Sequence, residues 1–209
     1  MVTGRPRVGG GATDEETAFR FTPEERAQLA RLLVDCGAYQ RGRFTLASGK
    51  TSDTYIDVKK GLTRPDILAL IAQAMAPHID TDRIAGVELA GVPIAAAVSI
   101  AVDKPCLFVR KEAKDHGTKR RIEGDLKAGE TVTFVEDVTT TGQSVMSGID
   151  AVEQAGGKVL TVVAVVDRDE GAEDALLARG VELVAILDLP TLRRTHDELE
   201  AYRAGLRRR

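Results

Sequence analysis

The chain has 209 residues, of which 43% are hydrophobic and 29% are charged, and its formal net charge is −3. This composition is typical of a globular protein and gives no support for a nucleic-acid or anionic-membrane surface. No apolar run reaches the roughly 20 residues that span a bilayer, and the N-terminus lacks the apolar core of a signal peptide. We therefore expect a cytoplasmic protein that binds neither nucleic acid nor membrane.

The first part of the chain predicts a tail followed by a capped helix. Residues 1–20 are rich in glycine, threonine and charge, which predicts a mobile tail, and residues 21–209 are predicted to form a single domain. In the sequence from Thr22 to Glu25, threonine can cap a helix, proline suits its first position and glutamate can reach back. The helix is predicted to stop at Gly37. Its apolar face is predicted to carry Leu29, Leu32, Leu33 and Cys36.

Strands and helices alternate along the rest of the chain. Residues 44–60 are predicted to be extended, with turns at Ser48-Gly49 and Ser52-Asp53, and a helix start follows at Thr63. The strands are then predicted at 84–89, 105–109, 132–137, 159–166 and 181–187, and the helices at 93–102, 144–154, 172–179 and 192–206. Apolar strands separated by helices predict an α/β fold with a mainly parallel central sheet flanked by helices.

The sequence VTFVEDVTTTGQS, from Val132 to Ser144, carries the clearest chemical signal. A predicted strand ends in Glu136 and Asp137, and a loop of small hydroxyl residues and one glycine precedes a helix. Parallel sheets bind ligands at the carboxyl ends of their strands, and a loop before a helix N-terminus favours a phosphate. The two acids suit hydroxyl groups beside that phosphate, and a ribose 5-phosphate offers both. The alternative is an ordinary strand–turn–helix with a solvated acidic pair.

This pattern resembles the signature that binds phosphoribosyl pyrophosphate (PRPP) in the type I phosphoribosyltransferases. The resemblance implies that the acids face the ribose hydroxyls and that Thr139 to Ser144 surround the 5-phosphate. It also implies the fold of that family, with a small N-terminal hood and a mobile catalytic loop. The residues implied to bind PRPP in this segment are Glu136, Asp137, Val138, Thr139, Thr140, Thr141, Gly142, Gln143 and Ser144.

A basic segment, RKEAKDHG from Arg110 to Gly117, follows a predicted strand. Its composition leaves two interpretations open: a loop that gathers around a polyanion, or a solvated surface loop. The order of its residues closely resembles the mobile catalytic loop of the orotate phosphoribosyltransferases. That resemblance implies that Lys111 contacts the PRPP of its own subunit. Arg110, Lys114 and His116 are implied to reach across a dimer interface into the neighbouring site.

The binding residues for the acceptor base come from the same resemblance. Arg168 follows the predicted strand 159–166, and an arginine there can hold a carboxylate in a planar two-point contact. The alternative is a surface ion pair with Asp167 or Asp169. By resemblance to the orotate enzymes, Arg168 binds the carboxylate of orotate, Thr140 contacts the base and Tyr55 covers the ring.

Some positions depart from the family pattern. Some members carry lysines at the positions of Ala47 and Ala90 that assist phosphate binding, and Lys50, Lys59 and Lys60 are candidates to replace them. A separate glycine pair, Gly86 and Gly91, is spaced as in a P-loop. Val92-Pro93 nevertheless stands where that motif requires Lys-Ser/Thr, so no P-loop is predicted.

The resemblance implies transfer of the 5-phosphoribosyl group from PRPP to orotate, giving orotidine 5′-phosphate and pyrophosphate in pyrimidine biosynthesis. Charge on the departing pyrophosphate dominates such a barrier, so catalysis is assigned to Arg110, Lys114, His116 and Asp137. Mg²⁺ is the implied cofactor, held through PRPP without direct protein ligands, in a homodimer with shared sites. Two alternatives remain: a purine phosphoribosyltransferase acting on xanthine or adenine, and a non-catalytic PRPP-sensing regulator.

Overall fold

A six-stranded sheet and a separate hairpin carry the strands of the protein. A computed structural model describes residues 21–45, 51–111 and 121–207. The strands are Tyr39–Thr45 (β1), Thr51–Ile56 (β2), Arg83–Val87 (β3), Cys106–Val109 (β4), Ile122–Glu123 (β5), Thr131–Thr139 (β6), Lys158–Asp167 (β7) and Glu182–Asp188 (β8). The α-helices are Pro23–Asp35 (α1), Lys59–Leu62 (α2), Pro65–Met75 (α3), Gly91–Val102 (α4), Gln143–Gln154 (α5), Ala172–Leu177 (α6) and Leu189–Leu206 (α7).

The order of strands in the large sheet is β5-β4-β3-β6-β7-β8. Neighbouring strands pair in parallel, except that the short β5 runs antiparallel to β4. The predicted α/β fold with a mainly parallel sheet is therefore confirmed. β6 lies between β3 and β7 and is parallel to both, so the carboxyl ends of the three strands lie side by side at one edge of the sheet.

Alternate residues of the central strands point to opposite faces of the sheet and belong to two separate hydrophobic cores. Ile84 and Val135 belong to the core with α1, α3, α4 and α7, whereas Ala85 and Phe134 belong to the core with α5 and α6. Because both faces are buried, the strands need apolar residues at every position, and this explains the absence of polar alternation in the sequence.

The hairpin of β1 and β2 lies where the sequence predicts an N-terminal hood. Two ion pairs join it to α7, one from Arg41 to Asp197 at 3.0 Å and one from Arg193 to Asp53 at 3.1 Å. β1 was not predicted, and the predicted turn at Ser52-Asp53 is wrong because both residues lie within β2. The Ser52 hydroxyl accepts a hydrogen bond from the Thr54 N–H at 3.2 Å, which is the local contact that serines make in turns.

Several predicted boundaries hold and others shift. The capping box of α1 is confirmed, since Glu25 N–H donates to the Thr22 hydroxyl at 3.2 Å and Thr22 N–H donates to the Glu25 carboxylate at 2.8 Å. β6 continues to Thr139, two residues beyond the predicted end at Asp137, so the acid pair lies within the last residues of the strand and does not end it. Among the described residues, no helix has the length and apolar character needed to cross a membrane. The predicted mobile tail and the turn at Ser48-Gly49 lie outside those residues.

Candidate active site

Two adjoining cavities open at the carboxyl end of β6. They have volumes of about 160 and 310 Å³, and Glu136, Val138 and Ser144 line both. The smaller cavity is formed by the turn between β6 and α5 and by the first turn of α5. The larger cavity lies between that turn, the end of β3 and the start of α2. The predicted ligand position at a strand's carboxyl end is therefore where the cavities lie.

The N-terminus of α5 has no side-chain cap. Gly142 precedes the helix with a φ of 75°, and no side chain of residues 21–45, 51–111 or 121–207 caps the helix start. By contrast, Thr22 caps α1 and Asp188 caps α7, where it accepts from the Thr191 N–H at 2.7 Å. Unpaired donors and the helix dipole together favour an anion in the smaller cavity.

Main-chain bonds fasten the turn after β6 to the turn after β7. Arg168 N–H donates to the Thr139 carbonyl at 3.1 Å, and Ala172 N–H donates to the Thr140 carbonyl at 3.0 Å. The Thr139 hydroxyl donates to Asp167 at 2.6 Å. All the predicted phosphate-binding residues from Thr139 to Ser144 line the smaller cavity, and the Thr139 hydroxyl also contributes to this attachment.

The two acids at the end of β6 are in different environments. Glu136 is only 8% exposed, and the Asp137 N–H donates to its carboxyl group at 3.1 Å. Burial raises the pKa of Glu136 well above its usual range, Asp137 raises it further and Lys111 partly opposes the shift. Glu136 thus holds its proton at pH values where a solvated glutamate has lost it, and its carboxyl group can donate as well as accept.

Two lysines line the larger cavity. The ammonium nitrogen of Lys59 lies 2.9 Å from Asp57 Oδ1 and 3.9 Å from Asp137 Oδ2. Lys111 N–H donates to Glu88 Oε1 at 2.9 Å, so this carboxylate orients the chain at the cavity rim. Lys60, another predicted replacement for a missing lysine, instead contacts the Gly37 carbonyl at 3.3 Å. Ala90 lines the larger cavity, whereas Ala47 and Lys50 lie outside the described residues.

The two ends of the basic segment are joined beside the site. Arg110 N–H donates to the Arg121 carbonyl at 2.8 Å, and the Arg121 guanidinium donates back to the Arg110 carbonyl and to the Ser147 hydroxyl on α5. The Arg110 side chain lies 3.2 Å from Glu123 of the same chain. Lys114 and His116 belong to residues 112–120, which lie outside the described residues.

The predicted acceptor residues Arg168 and Tyr55 line neither of the two cavities. The Arg168 side chain is 9% exposed, and its Nε donates to Glu170 at 2.7 Å, a partner that the sequence did not indicate. Tyr55 is exposed on β2 and packs against Phe44, with ring centroids 5.5 Å apart. Glu88 was missed, although its place after β3 could have indicated it.

Comparisons with known proteins agree with this geometry. The family model for the phosphoribosyl transferase domain matches residues 59–179. The chain is 48% identical over 174 residues to the orotate phosphoribosyltransferase of Methanocaldococcus jannaschii, covering 82% of this chain and 99% of that protein. The chain belongs to the orotate phosphoribosyltransferase family. The Methanosarcina mazei orotate phosphoribosyltransferase is 46% identical over 183 residues, covering 86% of this chain and 97% of its own length.

Solved structures of this enzyme family share the fold. The Mycobacterium tuberculosis orotate phosphoribosyltransferase in complex with PRPP is 33% identical, with a TM-score of 0.68 over 80% of this chain and 98% of that one. The Leishmania donovani UMP synthase has a TM-score of 0.76 and 36% identity over 84% of this chain and 39% of its own. The adenine phosphoribosyltransferase of Leishmania tarentolae, at 17% identity and a TM-score of 0.60, shares only the fold.

Proposed function

We propose that the two adjoining cavities hold PRPP while this phosphoribosyltransferase transfers the 5-phosphoribosyl group to orotate. The products are orotidine 5′-phosphate and pyrophosphate, and the reaction belongs to pyrimidine biosynthesis. One observation carries the assignment: the uncapped N-terminus of α5 and the acid pair of β6 meet at a single cavity wall. The enzyme is proposed to act in the cytoplasm, with residues 21–209 as one domain and residues 1–20 as a mobile tail.

The phosphoribosyl half of PRPP is proposed to lie along the turn between β6 and α5. Residues Thr139 to Ser144 would surround the 5-phosphate, since they line the smaller cavity at the uncapped start of α5. Glu136 and Asp137 would bind the ribose hydroxyls. The two residues differ, because Glu136 is buried with a raised pKa whereas Asp137 lies beside the Lys59 ammonium.

Orotate is proposed to bind beside Thr140 and Arg168, whose backbones are fastened together by the bonds between the two turns. The shielded guanidinium of Arg168 would bind the carboxylate of orotate in a bidentate contact, which requires it to leave Glu170 in part. Tyr55 would cover the pyrimidine ring from the hairpin.

The leaving pyrophosphate is proposed to lie in the larger cavity. Mg²⁺ would be held through PRPP without direct protein ligands, beside the carboxyl groups of Glu88, Glu136 and Asp137, and it would neutralise negative charge on the pyrophosphate. Lys111 would contact the pyrophosphate from its own subunit. Arg110, Lys114 and His116 are proposed to neutralise the departing charge, and His116 to give a proton to a pyrophosphate oxygen.

A homodimer with shared sites is proposed as the active assembly. An apolar surface beside the cavity supports it: Leu89 is exposed at the rim, and Pro93, Ala96 and Ile100 follow along one face of α4, with Ile100 84% exposed. Mixing inactive Lys114→Ala protein with inactive Asp137→Ala protein should restore part of the activity, because one of the two mixed sites is then intact. Subunit exchange without recovery would remove the cross-subunit role.

The substrate assignment is tested by supplying Mg²⁺, PRPP and one base at a time. Orotate should disappear and pyrophosphate should form in equal amount, whereas xanthine and adenine should persist. Consumption of a purine without consumption of orotate would contradict the proposal. Binding of PRPP with no turnover of any base would favour the regulator instead.

A further inference from the structure

The described part of the larger cavity's wall carries three carboxyl groups and two ammonium groups. The carboxyl groups belong to Glu88, Glu136 and Asp137, and the ammonium groups to Lys59 and Lys111. A pyrophosphate group brings several further negative charges into the same space. Because an anion is stabilised by cations that lie within a few ångströms, each lysine of this wall matters for binding.

The backbone around Lys59 is packed against the hydrophobic core. Val58 before it is fully buried, and α2 begins at Lys59 itself. A Cβ added at Gly61 would lie only 3.0 Å from Leu33 and 3.1 Å from Ile67, so this short helix is pressed against the core. The main chain of Lys59 is therefore fixed, while its side chain is 54% exposed at the cavity.

The contacts of the Lys59 ammonium leave it able to bind a ligand. Its separation from Asp137 is 3.9 Å, longer than a hydrogen bond, and its one close partner among the described residues is Asp57 Oδ1 at 2.9 Å. An ammonium group carries three donors. The contact with Asp57 raises the pKa of Lys59 and Asp137 adds to this effect, so the group stays positively charged at neutral pH.

We propose that Lys59 is a PRPP-binding residue, whose ammonium turns from Asp57 and Asp137 to an oxygen of the pyrophosphate group. The movement would leave Asp137 available to the ribose hydroxyls at the moment the donor binds. Lys59 and Lys111 would then hold the pyrophosphate from two sides of the cavity. This inference deepens the proposed function and rests on it.

The test compares Lys59→Ala with Lys60→Ala, the next residue of the same helix. Lys60 lines neither cavity and contacts a backbone carbonyl instead, so it is a matched control of equal charge change. Lys59→Ala should raise the KM for PRPP and the inhibition constant of pyrophosphate by about tenfold or more, because a charge-assisted hydrogen bond is lost. The KM for orotate should change little, and Lys59→Arg should recover part of the affinity.

Titration calorimetry with pyrophosphate and Mg²⁺ supplies a readout that does not depend on turnover. Weaker pyrophosphate binding by Lys59→Ala but not by Lys60→Ala supports the inference even if orotate proves to be the wrong base. Equal binding by the two variants overturns it, as does a fall in kcat with unchanged KM for PRPP. Circular dichroism and Tm of Lys59→Ala are compared with those of Lys59→Gln, so that a folding defect is recognised as such.

Discussion

The two ends of the central sheet carry similar charges and use them differently. At the amino end, where β3 and β6 begin, the Arg83 guanidinium donates to both oxygens of Glu130 at 2.8 and 2.7 Å. Asp82 accepts from the N–H and the hydroxyl of Thr131 at 2.8 and 2.7 Å. Lys104 donates to two backbone carbonyls. The charges of this end are therefore paired within the fold.

At the carboxyl end of the same strands, charged groups face cavities. Burial raises the pKa of Glu136, Asp137 lies 3.9 Å from the Lys59 ammonium, and no described side chain caps the helix start beyond them. Polar groups thus have two roles in this sheet. Those with hydrogen-bond partners inside the fold stabilise it, and those that lack such partners are available to bind a ligand. Substitutions at the two ends should consequently affect different measurements.

The largest effect is expected from Asp137→Asn. Removing the charged acceptor beside the ribose should lower kcat/KM for PRPP about ten- to a hundredfold, with Tm nearly unchanged, because the side chain makes few bonds within the fold. Steady-state kinetics and thermal unfolding measure the two effects. Asp82→Asn, at the other end, is the control and should lower Tm slightly while kcat/KM stays the same. Loss of activity in both Asp137→Asn and Asp82→Asn would contradict the different roles assigned to the two ends of the sheet.

Arg168→Lys should act on the acceptor alone. A lysine keeps the charge but cannot make a bidentate contact, so the KM for orotate should rise about tenfold while the KM for PRPP stays the same. Varying each substrate at saturation of the other measures this. Glu170→Gln keeps the size of the ion-pair partner and should leave the KM for orotate unchanged or lower it. A rise in the KM for PRPP instead would move Arg168 out of the acceptor site.

Arg83→Ala should affect stability and not catalysis. It leaves Glu130 without its bidentate partner, and Tm should fall by a few degrees, whereas kcat/KM for both substrates should stay within about twofold. Thermal unfolding and kinetics on the same preparation provide the measurement. A large kinetic defect at unchanged Tm would show that the amino end of the sheet also supports the site.

The smallest effect concerns the pH dependence of the unfolding free energy. The raised pKa of Glu136 stabilises the folded protein below its unfolded pKa, and this contribution is lost as pH rises through the folded pKa. Because glutamine cannot ionise, the stability of Glu136→Gln relative to wild type should increase with rising pH.

Asp82 should show the opposite sign. Hydrogen bonds from Thr131 lower its pKa, so its contribution is present above the unfolded pKa and is lost as pH falls through the folded pKa. The penalty of Asp82→Asn should shrink on acidification. Urea unfolding from about pH 2 to about pH 8 covers the titration of both groups, and pH dependences of the same sign for Glu136→Gln and Asp82→Asn would contradict the comparison.

The sequence predicted well what depends on local pattern. Neighbouring residues alone indicate the capping box at Thr22, the apolar strands and the acid pair. The structure has α1 with its capping box at the first place and β6 with the acid pair at the last. β1 was missed because its residues are mostly polar and one side of the hairpin is exposed. The turn at Ser52-Asp53 was wrong because a side chain–backbone bond typical of turns also occurs within a bulged hairpin.

Contacts between distant parts of the chain could not be predicted in the same way. The approach of Lys59 to Asp137 depends on the strand order and on how α2 packs, neither of which is encoded in a local motif. The difference between Glu136 and Asp137 follows from burial at the strand end, so two adjacent acids in the sequence looked equivalent. The attachment of Arg121 to Ser147 likewise required the fold.

Gly86 and Gly91 have the spacing of a P-loop, but in the structure they allow two backbone segments to approach closely. A Cβ added at Gly86 would lie 2.0 Å from the carbonyl oxygen of Gly91, which is backbone and cannot rotate away. No change in neighbouring side chains could make room, so a side chain at position 86 would displace the backbone at the start of α4. This contact therefore fixes the wall that carries Glu88 to Ala90, and redesign of substrate range has to begin from the other walls of the cavity.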